Sequence, residues 1–163
     1  MGKLYLLCGK PGCGKTTLAK WLKEKFGFIY FSADGFMLKL FGEIEDRQVF
    51  DKNLNACKEV IYNICEQLLD DKDIVLDFGF WTKKERESVK EKFNSKDVVL
   101  VYLKKNDDVI FKQIEKRNEN LKENEYYMDK ATYDILSLKF EEPQEDEGAI
   151  IFTDINNFLK YIE

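Results

Sequence analysis

The chain predicts an α/β fold, a five-stranded parallel sheet with helices on both faces. Three observations carry that expectation. Short apolar runs alternate with segments of helical periodicity from one end of the 163 residues to the other. Parallel neighbours need crossover connections, which are usually helical. Between the first run and the first helix stands Gly9-Lys10-Pro11-Gly12-Cys13-Gly14-Lys15-Thr16, a full match to G-x-x-x-x-G-K-[ST]. Length suits one domain, and no repeat, low-complexity linker or composition shift divides the chain. Residues 1–163 are therefore expected to form a single unit, with a short lid at about 117–130.

Leu4–Cys8 is the first buried strand. From about Lys15, Leu18, Leu22 and Phe26 recur at i, i+4 and i+8, and Gly27 ends that helix. Phe28–Ser32 is the second strand. A long helix over roughly Gln48–Leu69 carries Phe50, Leu54, Cys57, Ile61, Ile64 and Leu68 on one stripe. Ile74–Leu76 is the third strand, followed by a polar helix near Lys83–Phe93. Val98–Leu103 is an unbroken apolar run and the fourth strand. Asn106 or Asp107 can cap the next helix, which buries Ile110, Phe111 and Ile114. A polar stretch, Arg117–Glu125, leads to a helix near Lys130–Phe140. Strand Ala149–Phe152 and helix Ile155–Ile162, with Asp154 as its cap, complete the pattern.

Composition removes several chemistries. The chain has no histidine, so Ser–His–Asp, Cys–His and His-ligated zinc sites are excluded, and any base must come from another residue type. Apolar residues make up 44% of the chain, a globular share. No run approaches the ~20 apolar residues of a membrane span, and the N-terminal run is too short for a signal peptide. The four cysteines form no C-x-x-C pair, which argues for reduced thiols and a cytoplasmic protein. Cys8, Cys57 and Cys65 read as core; Cys13 lies in the glycine-rich loop, where a redox role or simple space-filling both fit.

The glycine-rich loop points to a P-loop NTPase. Its glycines let successive N–H groups turn toward an anion, and the following helix adds its positive dipole. Lys15 would reach the β- and γ-phosphates and the Thr16 hydroxyl would sit on Mg²⁺. Sites in open parallel sheets assemble beyond the carboxyl ends of the strands. Strand two ends at Ser32-Ala33-Asp34-Gly35, where Asp34 is either the base that accepts a hydroxyl proton or a turn-shaping residue. Strand three ends at Asp77-Phe78-Gly79-Phe80-Trp81, where Asp77 reads as a Walker-B-type aspartate on the Mg²⁺ shell or as a local cap. Arg117 is one of only three arginines. It either clamps transferring phosphoryl oxygens from a lid or serves the dipole of its helix. Glu141–Glu147 reads as a solvated acidic loop.

The blocks LYLLCGKPGCGKTTLAKWL, FSADGFML, VLDFGFW, EKRN and FEEPQEDE, in that order, resemble the P-loop kinase-like AAA_33 group of ATP-dependent kinases, related to polynucleotide 5′-kinase domains and chloramphenicol phosphotransferase. The resemblance spans Leu4 to about Glu147 and implies a nucleotide-kinase-like fold. It implies that Gly9, Lys10, Pro11, Gly12, Cys13, Gly14, Lys15, Thr16 and Thr17 bind ATP. It also implies that Asp34 is the base, Asp77 the acidic residue after strand three and Arg117 the lid arginine, with Phe140–Glu147 covering adenine. Polynucleotide kinases carry an arginine three positions after the matching aspartate, where this chain has Met37, amid Phe36, Leu38, Leu40 and Phe41. The expected function is an ATP- and Mg²⁺-dependent phosphotransferase acting on a small-molecule hydroxyl. A polynucleotide 5′-hydroxyl kinase and a non-catalytic nucleotide switch are the alternatives, and the net charge of −5 disfavours nucleic acid.

Overall fold

A computed structural model describes residues 1–122 and 125–162. Five parallel strands form one sheet in the order β2-β3-β1-β4-β5: β1 Lys3–Cys8, β2 Ile29–Ser32, β3 Ile74–Gly79, β4 Asp97–Tyr102 and β5 Ile150–Ile151. The helices are α1 Lys15–Phe26, α2 Ala33–Phe41, α3 Arg47–Leu68, α4 Lys83–Lys92, α5 Asp107–Asn118, α6 Lys130–Ser137 and α7 Ile155–Leu159. Glu145–Glu147 adds a single 3₁₀ turn. No helix among the described residues is long and apolar enough to cross a membrane.

Strand alternation sorts the core into two layers. Leu4, Leu6, Leu76 and Leu100 face Ile61, Tyr62 and Cys65 of α3 and Val89 of α4. Tyr5, Leu7, Val75 and Val101 face Leu18, Ala19 and Leu22 of α1, Ile110 and Ile114 of α5, and Phe158 of α7. Each fully buried leucine contributes about 1.5–3 kcal/mol relative to an exposed one, so this double coverage holds β1 as the central strand. All four cysteines are buried free thiols.

The periodic segments match their expected elements within one or two residues, while the irregular ones differ. Residues 33–41 form α2, a helix that the sequence pattern did not announce and in which Asp34-Gly35 alone offered a turn reading. Ser32 starts that helix, its hydroxyl accepting a 3.1 Å bond from the Gly35 N–H. Strand β3 runs three residues past Leu76, so Asp77 lies within the strand. The last helices and β5 are shorter than expected, with Asp154 capping α7 through the Asn157 N–H. Of the segment expected as a lid, Glu123 and Asn124 lie outside the described residues.

The acidic run 141–147 is mostly exposed, as expected of a solvated loop, but its last carboxylate departs from that expectation. Glu147 is buried and grips the fully buried Arg86 of α4 in a two-pronged pair, 2.6 Å from Nε and 2.9 Å from Nη2. Glu147 and Gln144 also form a reciprocal capping box around the 3₁₀ turn. Glu141 anchors the other end, donating its N–H to the Trp81 carbonyl (2.8 Å) and accepting from the Lys83 N–H through its side chain. Only Glu147 of these carboxylates leaves water, and the Arg86 guanidinium and the Gln144 N–H supply the partners its burial requires.

Candidate active site

The loop between β1 and α1 is shaped by its contacts. Gly12 has φ +76°, and a Cβ there would lie 2.5 Å from Ile114 Cγ1 of α5, so both conformation and space require glycine. Helix α1 starts at Gly14 with no side-chain cap, which leaves its first N–H groups open to an anion. Lys15 is nearly buried and its ammonium donates to the carbonyls of Gly9 (3.0 Å) and Lys10 (2.9 Å). Pro11 and Cys13 are buried beneath the loop, and Thr16 and Thr17 are exposed at its end. Lys10 pairs with Asp107 of α5 at 2.6 Å, and the Tyr133 hydroxyl donates to the same carboxylate.

Two neighbouring strands bring the carboxylates to this loop. The Thr16 hydroxyl donates to Asp77 Oδ2 at 2.6 Å, and the Tyr30 hydroxyl reaches the same oxygen at 3.4 Å. In the β2–β3 register Ser32 faces Asp77, so α2 begins beside Asp77 and carries Asp34 in its first turn. The turn-dipeptide reading of Asp34-Gly35 therefore gives way to a helix N-terminus. Asp34 is exposed in the first turn of α2. Crowding by protein atoms pushes its carboxyl above the ordinary aspartate range, Asp77 pushes the same way, and Lys15, Lys58 and Arg117 oppose them. Met37, one turn on, is fully buried, so it belongs to the packing beneath α2 and not to an open pocket wall; Leu40 and Phe41 are exposed.

Arg117, in the last turn of α5, donates from Nη2 to the Tyr126 carbonyl at 3.2 Å. Its Nε is buried without a hydrogen-bond partner among the described residues, as is the Tyr126 hydroxyl. Lys58 of α3 is held by Glu85 of α4 at 2.5 Å, and Glu85 also accepts from the Trp81 N–H.

The exit of β3 is the part of the site that the sequence concealed. Gly79 has φ +84°, and a Cβ there would sit 2.4 Å from Trp81 Nε1. Phe80 follows with φ +45°, the one non-glycine positive φ among the described residues, a conformation that costs about 1–3 kcal/mol. Its carbonyl accepts 3.0 Å from Arg86 Nη1, which also donates to the Glu141 carbonyl at 2.9 Å. The slip places Gly79, and not Phe78, opposite Cys8 in β1, next to the start of the phosphate-loop sequence. The spacing Gln144-x-x-Glu147 was the one local signal for this clamp.

The family model AAA_33, described as an AAA domain, matches residues 4–143. No curated protein matches the chain. Among solved structures, a candidate kinase from Chloroflexus aurantiacus is similar at TM-score 0.74 and 15% identity, covering 99% of this chain and 93% of that one. Kti12 of Chaetomium thermophilum, in complex with ADP-AlF3, gives TM-score 0.67 and 17% identity over 91% of this chain and 87% of that one. A gluconokinase from Sinorhizobium meliloti gives TM-score 0.61 and 14% identity over 92% and 81%. At these identities the likeness is one of fold, the α/β P-loop kinase-like fold.

Proposed function

Because the chain belongs to the AAA_33 family, we propose that it is an ATP- and Mg²⁺-dependent phosphotransferase that phosphorylates a hydroxyl of a small molecule. The observation that carries this reading is Asp34, a carboxylate of raised pKa in the first turn of α2, which the β2–β3 register starts beside Asp77 and its partner Thr16. A nucleotide switch needs no hydroxyl-activating carboxylate; a kinase does.

Residues Gly9–Thr17 bind the nucleotide in this reading, the loop amides and the open first turn of α1 receiving its phosphates. Lys15, now resting on loop carbonyls, turns to the phosphates, exchanging two neutral acceptors for charged ones. Thr16 and Asp77 present hydroxyl and carboxylate oxygens close together, hard donors of the kind Mg²⁺ takes while keeping waters and phosphate oxygens. When bound, the ion would neutralise charge developing on the transferring group. Asp34 accepts the proton of the acceptor hydroxyl as its oxygen attacks the γ-phosphorus and ADP departs. Arg117 presents its unpartnered Nε–H to the phosphoryl oxygens.

Incubating the protein and its Asp34→Asn variant with ATP, Mg²⁺ and a mixed library of metabolites, nucleosides and antibiotics tests the reading by mass spectrometry. A phosphorylated product with the wild type, and none with the variant, is the expected result. Product only from 5′-hydroxyl oligonucleotides, or ATP retention with no product from any compound, would replace it.

A further inference from the structure

Consecutive residues at the end of α5 hold the chain that returns toward α6, each by its own chemistry. The Asn118 carboxamide spans Met128, donating from Nδ2 to its carbonyl at 2.6 Å and accepting from its N–H through Oδ1 at 3.2 Å. Arg117 donates from Nη2 to the Tyr126 carbonyl at 3.2 Å. Tyr126 and Met128 are half-buried while Tyr127 between them is exposed, the alternation of extended chain. The Met128 side chain also packs against the core layer that holds Ile110 and Ile114 of α5. This run is therefore tied down through backbone and side chain together.

Gripping both polar backbone atoms of one residue takes a donor and an acceptor on the same short group. A carboxamide has both, whereas a carboxylate lacks the donor. The arginine next to it keeps its charge. Among the described residues no carboxylate pairs with Arg117, and its Nε is buried without a partner. A neutral carbonyl orients a guanidinium without cancelling its charge, and the open Nε–H can meet an anion without first breaking a bond. How well that works depends on how firmly the Tyr126 carbonyl is held.

We propose that Asn118 is the positioning residue for Arg117. By holding Met128 at both backbone atoms it fixes the Tyr126 carbonyl, and that carbonyl aims the guanidinium at the transferring phosphoryl group. The inference rests on the kinase reading above and adds the residue that preorganises its arginine.

Calorimetric titration with Mg²⁺ and ADP, alone and with aluminium fluoride, tests this without any acceptor. The fluoride adds an anion where the phosphoryl group would lie, so an aimed arginine strengthens that complex alone. The wild type should bind it more tightly than ADP. Asn118→Ala, and Asn118→Asp, which keeps the size but loses the donor, should each weaken the fluoride complex by about tenfold and leave ADP affinity unchanged. In an Arg117→Ala background, Asn118→Ala should have no further effect. Equal losses for both ligands would mark a merely structural residue and overturn the inference. An undiminished loss in the Arg117→Ala background overturns it too, as does wild-type binding by both variants or a wild type that gains nothing from the fluoride. The expected fluoride result, with no phosphorylated compound from the acceptor library, overturns the kinase reading and leaves Asn118 acting at a γ-phosphate. A wild type that binds neither ligand overturns both.

Discussion

The Thr16 hydroxyl donates a 2.6 Å hydrogen bond to Asp77 Oδ2, joining the start of α1 to the middle of β3. The two residues are 61 positions apart in sequence, yet they form one oxygen cluster at the end of the phosphate loop. Asp77→Asn keeps the shape but removes the charge. It should raise the Mg²⁺ concentration needed for half-maximal activity by about 10–100-fold, with little change in Tm. A magnesium titration of the variant that overlays the wild type would separate Asp77 from the metal.

Lys15→Ala should lower ATP-dependent transfer by at least about 100-fold, since a preorganised positive donor to the phosphates is lost. Among the described residues the Lys15 ammonium bonds only within its own loop, to two carbonyls and the Cys13 sulfur, so circular dichroism and Tm should remain close to wild type. Retained transfer at near wild-type rate would remove the lysine from the reaction.

Asp34→Asn should reduce transfer by about 10²–10⁴-fold while leaving ATP binding intact. In the wild type the base works only when ionised and its pKa is raised. Activity should therefore fall on acidification at a pH above the ordinary carboxylate range. Stability has the opposite slope. A carboxyl whose folded pKa exceeds its unfolded value favours the folded state at low pH, and that contribution is lost as pH rises through the folded pKa. Asp34→Asn should thus raise Tm at neutral pH relative to acid pH, which a pH series of melts would reveal or refute.

Arg86→Ala leaves Glu147 buried without its partner and should destabilise the protein by about 3–5 kcal/mol, whereas replacing both residues by leucine should restore much of that loss. The arginine holds Glu147 well below the ordinary glutamate range, so the pair's contribution is present above the unfolded glutamate pKa and fades as pH falls through the lower folded value. Chemical denaturation of the single and double variants at neutral and acid pH reads both effects.

Gly79→Ala places a methyl group against Trp81 Nε1 at a φ that alanine rarely adopts, so it should cost about 1–3 kcal/mol or more. It should also shift tryptophan fluorescence. A variant as stable as wild type, with unchanged emission, would show that the β3 exit relaxes freely.

What could be read in advance was what local pattern encodes. Leu18 and Leu22 at helical spacing, the apolar run at Val98–Leu103 and the phosphate-loop glycines each carry their structure within a few residues. The meeting of Asp77 with Thr16 depends instead on strand register, and the position of Asp34 on a helix start depends on Ser32 capping where Asp-Gly alone suggests a turn. Arg86 and Glu147 were illegible for a different reason. Charged residues usually face water, and nothing nearby in sequence announces that two of them, 61 positions apart, are buried together. Tyr126 was equally silent, because an unpartnered hydroxyl is a property of a folded surface.

Arg86 has one more consequence, which concerns the order in which the chain is made. The phosphate loop, Asp34 and Asp77 all lie in its first half, and a ribosome adding about 5–20 residues per second finishes them early. The Phe80 turn beside them is held by an arginine whose partner is residue 147. A nascent chain stalled before that glutamate would carry every residue proposed for phosphate and metal binding, while the Phe80 turn lacked the contact that fixes its clamp. Nucleotide capture by such stalled chains should therefore appear abruptly, late in synthesis, and not in step with the emergence of the glycine-rich loop.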